Sequence, residues 1–154
     1  MMIDHLKNSL GRGATIAPGA SSPTVLVIDD EPVVRQSLEI LLETYGFQVA
    51  LARNGAQGLA AFRRIEPDLV LTDIVMPVQD GIETIRIMRR ERPDARIIAM
   101  SGADPVGNST YVDIAAQLGA NAAVPKPLEG NKLIDAVQAV IAAKRRPFPE
   151  AHAA

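Results

Sequence analysis

The chain has 154 residues, 47% of them apolar, which is enough for one hydrophobic core and too few for two ordinary domains. Its 16 basic and 18 acidic residues give a net charge of -2, so no positive excess favours nucleic acid or an anionic membrane as a partner. Cysteine is absent, which excludes disulfides and thiolate metal sites, and no apolar run has the length of a signal peptide or a membrane span. These features predict a soluble, cytoplasmic protein.

The two ends of the chain have the composition of linkers. Residues 1–23 include a Gly-Arg-Gly segment and a stretch rich in Pro, Gly and Ser, and residues 146–154 contain prolines and small residues. We expect two flexible tails around a single domain at residues 24–145. We also expect no effector domain after residue 146, so that the output of the protein is contact with another protein.

Between these tails, strand-like apolar runs alternate with segments of helical period. The predicted strands are 24–28, 47–52, 69–72, 96–100 and 121–124. The predicted helices cover 32–45, 56–64, 82–90 and 111–118, and a last helix carries the apolar residues between 133 and 141. Five strand–helix units in series favour a parallel sheet with helices on both faces, because crossovers are right-handed. The predicted fold is α/β, a doubly wound five-stranded parallel sheet of flavodoxin-like strand order.

Asp73 stands where the third predicted strand opens into a loop. The apolar run 69–72 precedes it, and a Pro- and Gly-containing segment, 77–81, follows it. Ligands of parallel sheets bind outside the carboxyl ends of the strands, so Asp73 is a site candidate by position. The alternative for a single acid at this place is a turn or helix cap.

Polar side chains follow four of the five predicted strands. They are Asp29 and Asp30 after the first, Asp73 after the third, Ser101 after the fourth and Lys126 after the fifth. Three carboxylates at one edge repel one another unless a cation lies among them, and oxygen ligands without His or Cys favour Mg²⁺. One carboxylate could then attack a phosphate donor to give an aspartyl phosphate, while the hydroxyl and the amine stabilise the phosphoryl oxygens.

Together these motifs resemble the receiver domain of two-component response regulators. The resemblance covers residues 24–143 and is carried by Asp29-Asp30, Asp73, Met76-Pro77, Asp80-Gly81, Ser101-Gly102-Ala103 and Lys126-Pro127. It implies an aspartate phosphorylated by a sensor histidine kinase or a histidine phosphotransfer protein in the presence of Mg²⁺, and a downstream protein target. Partners are therefore expected to be proteins rather than nucleic acid or membrane, and a homodimer is left open.

The resemblance implies a role for each acidic residue. Asp73 would accept the phosphoryl group, and Asp30, Asp73 and the backbone carbonyl of Val75 would ligate Mg²⁺ directly. Asp29 would act mainly through a metal-bound water. Glu31 is interpreted as an acid in the first turn of a helix, with contact to a metal-bound water as the alternative.

The resemblance also implies roles for the hydroxyl of Ser101 and the amine of Lys126. Ser101 would hydrogen-bond a phosphoryl oxygen, Lys126 would pair with the phosphoryl group, and the Lys126-Pro127 peptide would be cis. The chain would catalyse its own phosphorylation and dephosphorylation without being an enzyme in the ordinary sense.

Other classes of protein fit parts of this pattern. A phosphatase of the haloacid-dehalogenase type also uses an Asp nucleophile and Mg²⁺, but it needs a second Asp where this chain has Val75. A receiver fold that only binds partners, without phosphorylation, is the more serious alternative, and the complete set of acids, hydroxyl and lysine argues against it. A phosphate-loop nucleotide hydrolase is excluded because no GxxxxGK[ST] pattern occurs.

Two further features bear on surfaces and switching. The arginines at 86, 89, 90, 92 and 96 are interpreted as a solvated face on and after the third helix. Receivers commonly carry an aromatic residue three positions before the lysine, where this chain has Ala123. Alanine has no rotamer to switch, so we expect the segment after Ser101 to respond to phosphorylation by resetting the start of the next helix. The alternative is a loop that is mobile in both states.

Overall fold

The computed structural model describes residues 22–74, 76, 81–102 and 111–143. In this part of the chain, five strands alternate with five helices. The strands are β1 (Thr24–Ile28), β2 (Gln48–Ala52), β3 (Leu69–Asp73), β4 (Ile97–Ser101) and β5 (Ala122–Pro125). The helices are α1 (Pro32–Thr44), α2 (Gly55–Ile65), α3 (Gly81–Glu91), α4 (Tyr111–Leu118) and α5 (Gly130–Ala142). Each predicted strand and helix is present.

All five strands pair in parallel, in the order β2-β1-β3-β4-β5. The predicted flavodoxin-like strand order is therefore confirmed. Asp73 is in register with Met100, and Ser101 with Pro125. The carboxyl ends of these neighbouring strands consequently lie side by side, at the edge of the sheet where the sequence predicts a site.

Helices cover both faces of the sheet. Along β1, Val25 and Val27 belong to the core shared with α1 and α5, while Leu26 and Ile28 belong to the core shared with α2, α3 and α4. The sequence of a strand that is buried on both faces is a continuous run of apolar residues. For this reason β1, β3 and β4 could be recognised from the sequence. The predicted apolar stripes of α1 and α5 are the surfaces that pack on the sheet.

Local signals set the ends of the first two helices. Pro32 is the first residue of α1, and Gly46 follows its last turn with a φ of 90°, a conformation that favours glycine. Asn54 caps α2, because its Oδ1 accepts a hydrogen bond of 2.8 Å from the backbone N–H of Gln57. Pro32 thus begins α1 and Asn54 caps α2, as predicted.

The interpretation of the arginines as one solvated face is wrong for three of the five. Arg89 donates to backbone carbonyls in the connections before β4 and β5 and to the side chain of Asn121. Arg92 lies 4.1 Å from the ring centroid of Phe62 and donates to that residue's carbonyl, and Arg96 donates to the carbonyl directly after α5. These guanidiniums bind backbone carbonyls in loops and near helix ends, so they do not form a solvated face. The other two arginines are exposed.

Gly81 allows the chain to return to the end of β3 at the start of α3. Its N–H donates to the carbonyl of Ile74 at 2.8 Å. A Cβ at this position would overlap the carbonyl oxygen of Asp73 and lie 2.7 Å from Cα of Ile74. Because both neighbours are backbone atoms, a side chain here would displace the residue that ends β3.

Gly81→Ala should therefore lower the free energy of unfolding by about 1–3 kcal/mol, the usual cost of forcing atoms into a packed region. Gly102→Ala is the matched control, since a Cβ at Gly102 meets nothing within 4 Å. We expect the control to stay within about 0.5 kcal/mol of the parent chain. Urea denaturation of the three proteins measures the difference, and equal stabilities for the two variants would contradict the close approach at Gly81.

Candidate active site at the carboxyl edge of the sheet

Asp29 follows β1 and is completely buried. Its Oδ1 accepts from the N–H of Glu31 at 2.9 Å, and its Oδ2 accepts from Nζ of Lys126 at 2.9 Å. Its own N–H donates to the carbonyl of Ala52 at 3.1 Å, and its carbonyl accepts from Nη1 of Arg35 at 2.8 Å. Every polar group of Asp29 is bonded within the protein, so this carboxylate has a fixed position.

Lys126 connects the end of β5 to the ends of β1 and β3. Its Nζ lies 2.9 Å from Oδ2 of Asp29 and 3.0 Å from Oδ2 of Asp73, and its backbone N–H donates to the carbonyl of Ser101 at 2.8 Å. Burial lowers the pKa of Lys126, but the hydrogen bonds and charges of the two aspartates outweigh burial and raise it overall. The ammonium therefore stays charged between two carboxylates. The peptide to Pro127 is cis, as predicted.

Asp73 and Ser101 end neighbouring strands. Asp73 is 7% exposed and Ser101 is 6% exposed. The N–H of Ile74 donates to the carbonyl of Met100 at 3.2 Å, so pairing between β3 and β4 continues one residue past Asp73. A carboxylate and a hydroxyl are thus held at the same buried edge by regular strand pairing.

An acidic cluster, Asp29 with Asp30 and Glu31, occupies the turn between β1 and α1. One carboxylate oxygen from each residue lies within 4.8 Å of the others. Among the residues that the structure describes, no hydrogen bond reaches the carboxylates of Asp30 or Glu31, whereas both oxygens of Asp29 are already bonded. Carboxylate oxygens that reach solvent are suitable ligands for a hard cation such as Mg²⁺, which keeps several water molecules as ligands when it binds a protein. The cluster fits the ion that the sequence predicts.

The structure brings together most of the residues predicted for the site. Asp29, Asp73 and Lys126 meet directly, Asp30 joins Asp29 in the acidic cluster, and Ser101 ends the next strand. The predicted carbonyl ligand of Val75 lies outside the described residues, as does the segment 103–110 that we expect to respond to phosphorylation. Ala123, which is in register with Ala99, is partly buried against the core shared with α2, α3 and α4.

The interpretation of Glu31 as an acid in the first turn of a helix is wrong, because Glu31 is the N-cap of α1 and precedes its first turn. Its carboxylate lies in the acidic cluster. One contact of the site, made by Arg35, went unrecognised in the sequence. Arg35 bonds the carbonyl of Asp29 from the first turn of α1. A cation six residues after a strand-end acid is the signal that could have suggested this contact.

A cleft of about 400 Å³ lies beside the site, between α1 and the connection from β5 to α5. Glu31 and Lys126 line it on the side of the site. Val33 is 72% exposed on α1. The remaining lining residues are mostly apolar: Val33, Val34, Ser37, Leu38, Leu41, Pro127, Leu128, Gly130 and Leu133. An apolar surface is thus available to a partner directly next to the buried ion pairs.

Residues 25–138 match the family described as the response regulator receiver domain. The chain belongs to this family, and it is a receiver of two-component signalling. Among the residues described, no helix combines the length and the apolar character that crossing a membrane requires.

The chain is similar to both short and long members of the family. It is 34% identical over 114 residues to the chemotaxis protein CheY of Bacillus subtilis (strain 168). The aligned region covers 73% of this chain and 92% of that protein. It is 33% identical over 115 residues to the DNA-binding response regulator MtrA of Mycolicibacterium smegmatis. Here the aligned region covers 75% of this chain and 49% of MtrA. The chain thus spans nearly all of the first relative and about half of the second.

Solved structures share the fold. The response regulator protein TrrA from Thermotoga maritima, in complex with Mg(2+)-BeF, is 30% identical with a TM-score of 0.67, over 77% of this chain and 98% of that one. The parallel sheet and its covering helices are therefore those of known receivers.

The raised pKa of Lys126 predicts a pH dependence of stability. The ion pairs stabilise the folded state fully below the ordinary lysine pKa of 10.5, and this contribution is lost as the pH rises through the higher folded value. In Lys126→Met the loss of stability should accordingly be constant around neutral pH and shrink above pH 10.5. Urea denaturation in the presence of a chelator, at a series of pH values, measures this difference.

Lys132→Met is the control for this experiment. Lys132 is 67% exposed and pairs at 3.2 Å with Glu129, the N-cap of α5. An exposed pair of this kind contributes on the order of 0.3 kcal/mol, so the control should change little at any pH. A loss in Lys126→Met that matches the control, or that persists unchanged at high pH, would contradict the charge on Lys126 as the source of stability.

Proposed function

We propose that Asp73 is the phosphoryl acceptor of this receiver and that a sensor histidine kinase or a histidine phosphotransfer protein is the donor. The observation that carries the proposal is the ammonium of Lys126, held between Asp29 and Asp73 at the ends of three strands. A cation fixed beside a carboxylate is placed to stabilise the negative charge of a phosphoryl group on that carboxylate. Asp29 is less suited as acceptor, because it is completely buried, whereas Asp73 is 7% exposed.

In the reaction, a carboxylate oxygen of Asp73 forms a bond to phosphorus while the phosphorus–nitrogen bond to the donor histidine breaks. Lys126 neutralises charge on the transferred group, and the hydroxyl of Ser101 donates a hydrogen bond to it from the neighbouring strand. Asp30, Asp73 and the backbone carbonyl of Val75 would hold Mg²⁺ directly, and Asp29 would hold it through a water. The bound ion would supply the remaining positive charge.

The cleft beside α1 supports a protein as the donor. Its apolar walls adjoin Lys126, and Val33 offers an exposed side chain on α1, so a partner seated there would reach the buried aspartates from outside. We place the protein in the cytoplasm, in keeping with the absence of cysteine, and expect the phosphorylated chain to act on a downstream protein through contact.

Asp73→Asn should abolish phosphorylation while leaving the chain folded, because the amide has nearly the shape of the carboxylate and is a poor nucleophile. The measurement is intact mass after treatment with acetyl phosphate and Mg²⁺. Asp135→Asn, an exposed acid on α5, is the control and should keep the adduct. An adduct that persists in Asp73→Asn would reject this acceptor, and a parent chain that never forms one would favour the phosphorylation-independent interaction module.

The acidic cluster predicts unequal roles for its two exposed members. Asp30→Ala should weaken Mg²⁺ binding on the order of tenfold or more, whereas Glu31→Ala should change it much less, since only Asp30 is proposed as a direct ligand. Calorimetric titration with Mg²⁺ compares the two variants with the parent chain. Equal losses would show that Glu31 shares the ligand shell.

A further inference from the structure

Arg35 folds back from the first turn of α1 onto the turn that carries the acidic cluster. Its Nη1 donates to the carbonyl of Asp29 at 2.8 Å, while its backbone N–H donates to the carbonyl of Glu31 at 3.1 Å. The same residue thus contacts both ends of the turn 29–31. The role that we proposed for the site assigns nothing to it.

The contact to Arg35 matters because it is one of two hydrogen bonds, among the described residues, to the peptides on either side of Asp30. Glu31, the N-cap of α1, makes no side-chain capping bond, and Pro32 has no N–H to donate. Two bonds hold the turn from the inside: Oδ1 of Asp29 accepts from the N–H of Glu31, and Arg35 binds the carbonyl of Asp29. The first fixes the peptide after Asp30, and the second fixes the peptide before it.

With both flanking peptides fixed, the Cα–Cβ bond of Asp30 has one direction. We propose that Arg35 is a positioning residue that aims the carboxylate of Asp30 for binding Mg²⁺, an inference that rests on the proposed function. Residues behind a ligand commonly set metal affinity by orienting that ligand. Arg35 itself is not proposed to touch the ion or the phosphoryl group.

Charge and geometry make opposite predictions for this arginine. A guanidinium bound to the turn that carries three carboxylates repels an incoming cation, so if only its charge mattered, removing it would tighten Mg²⁺ binding. If Arg35 orients Asp30, removing it weakens binding instead. The sign of the change therefore separates the two effects.

The experiment is calorimetric Mg²⁺ titration of the full chain and of three variants. Arg35→Met should weaken binding about tenfold, the lower end of the usual effect of losing a group behind a metal ligand. Arg35→Lys keeps the charge and a donor on a shorter side chain, so its affinity should lie between those of Arg35→Met and the parent. Arg64→Met, which removes an exposed arginine from the last turn of α2, controls for net charge and should match the parent.

Unchanged or tighter binding in folded Arg35→Met would overturn the proposal, as would an equal loss in Arg64→Met. Circular dichroism establishes that each variant is folded at the temperature of the titration. If Arg35→Met does not fold, Arg35→Lys decides: weaker binding supports positioning, and binding equal to or tighter than the parent's overturns it. A parent chain that binds Mg²⁺ but forms no phosphoryl adduct would contradict the proposed function and leave this comparison valid, whereas a parent that binds no Mg²⁺ would contradict both.

Discussion

Two buried carboxylates share one ammonium at the carboxyl edge of the sheet, and the site depends on this arrangement. Lys126 holds Asp29 and Asp73 at 2.9 and 3.0 Å, which ties together the ends of three strands that are far apart in sequence. Without the cation, two acids that are 0% and 7% exposed would face one another with little water to screen them. In the proposed reaction, the same ammonium that compensates this repulsion would be available to a phosphoryl group on Asp73.

The fold could be predicted because a doubly covered parallel sheet leaves a simple pattern. Its central strands are short apolar runs, and its helices carry apolar residues on one side only. The candidate site could be predicted for a related reason. Once the strands are parallel and in this order, Asp29, Asp73, Ser101 and Lys126 must meet at one edge, whatever their separation along the chain.

Contacts that depend on long side chains could not be predicted in this way. Arg89, Arg92 and Arg96 lie on and after α3, where the sequence favours a solvated face, yet each donates to a backbone carbonyl in another part of the chain. A flexible guanidinium reaches acceptors that periodicity does not specify. The role proposed for Arg35 could not be predicted for the same reason, since it depends on where the turn 29–31 places the carbonyl of Asp29.

The most direct test of the account is the position of the phosphoryl group along the chain. Borohydride reduction converts a phosphorylated aspartate to homoserine, which tandem mass spectrometry assigns to a single residue. After treatment with Mg²⁺ and acetyl phosphate, the account predicts homoserine at position 73 and unmodified aspartate at 29 and 30. Homoserine at either of those two positions, or at none, would contradict it.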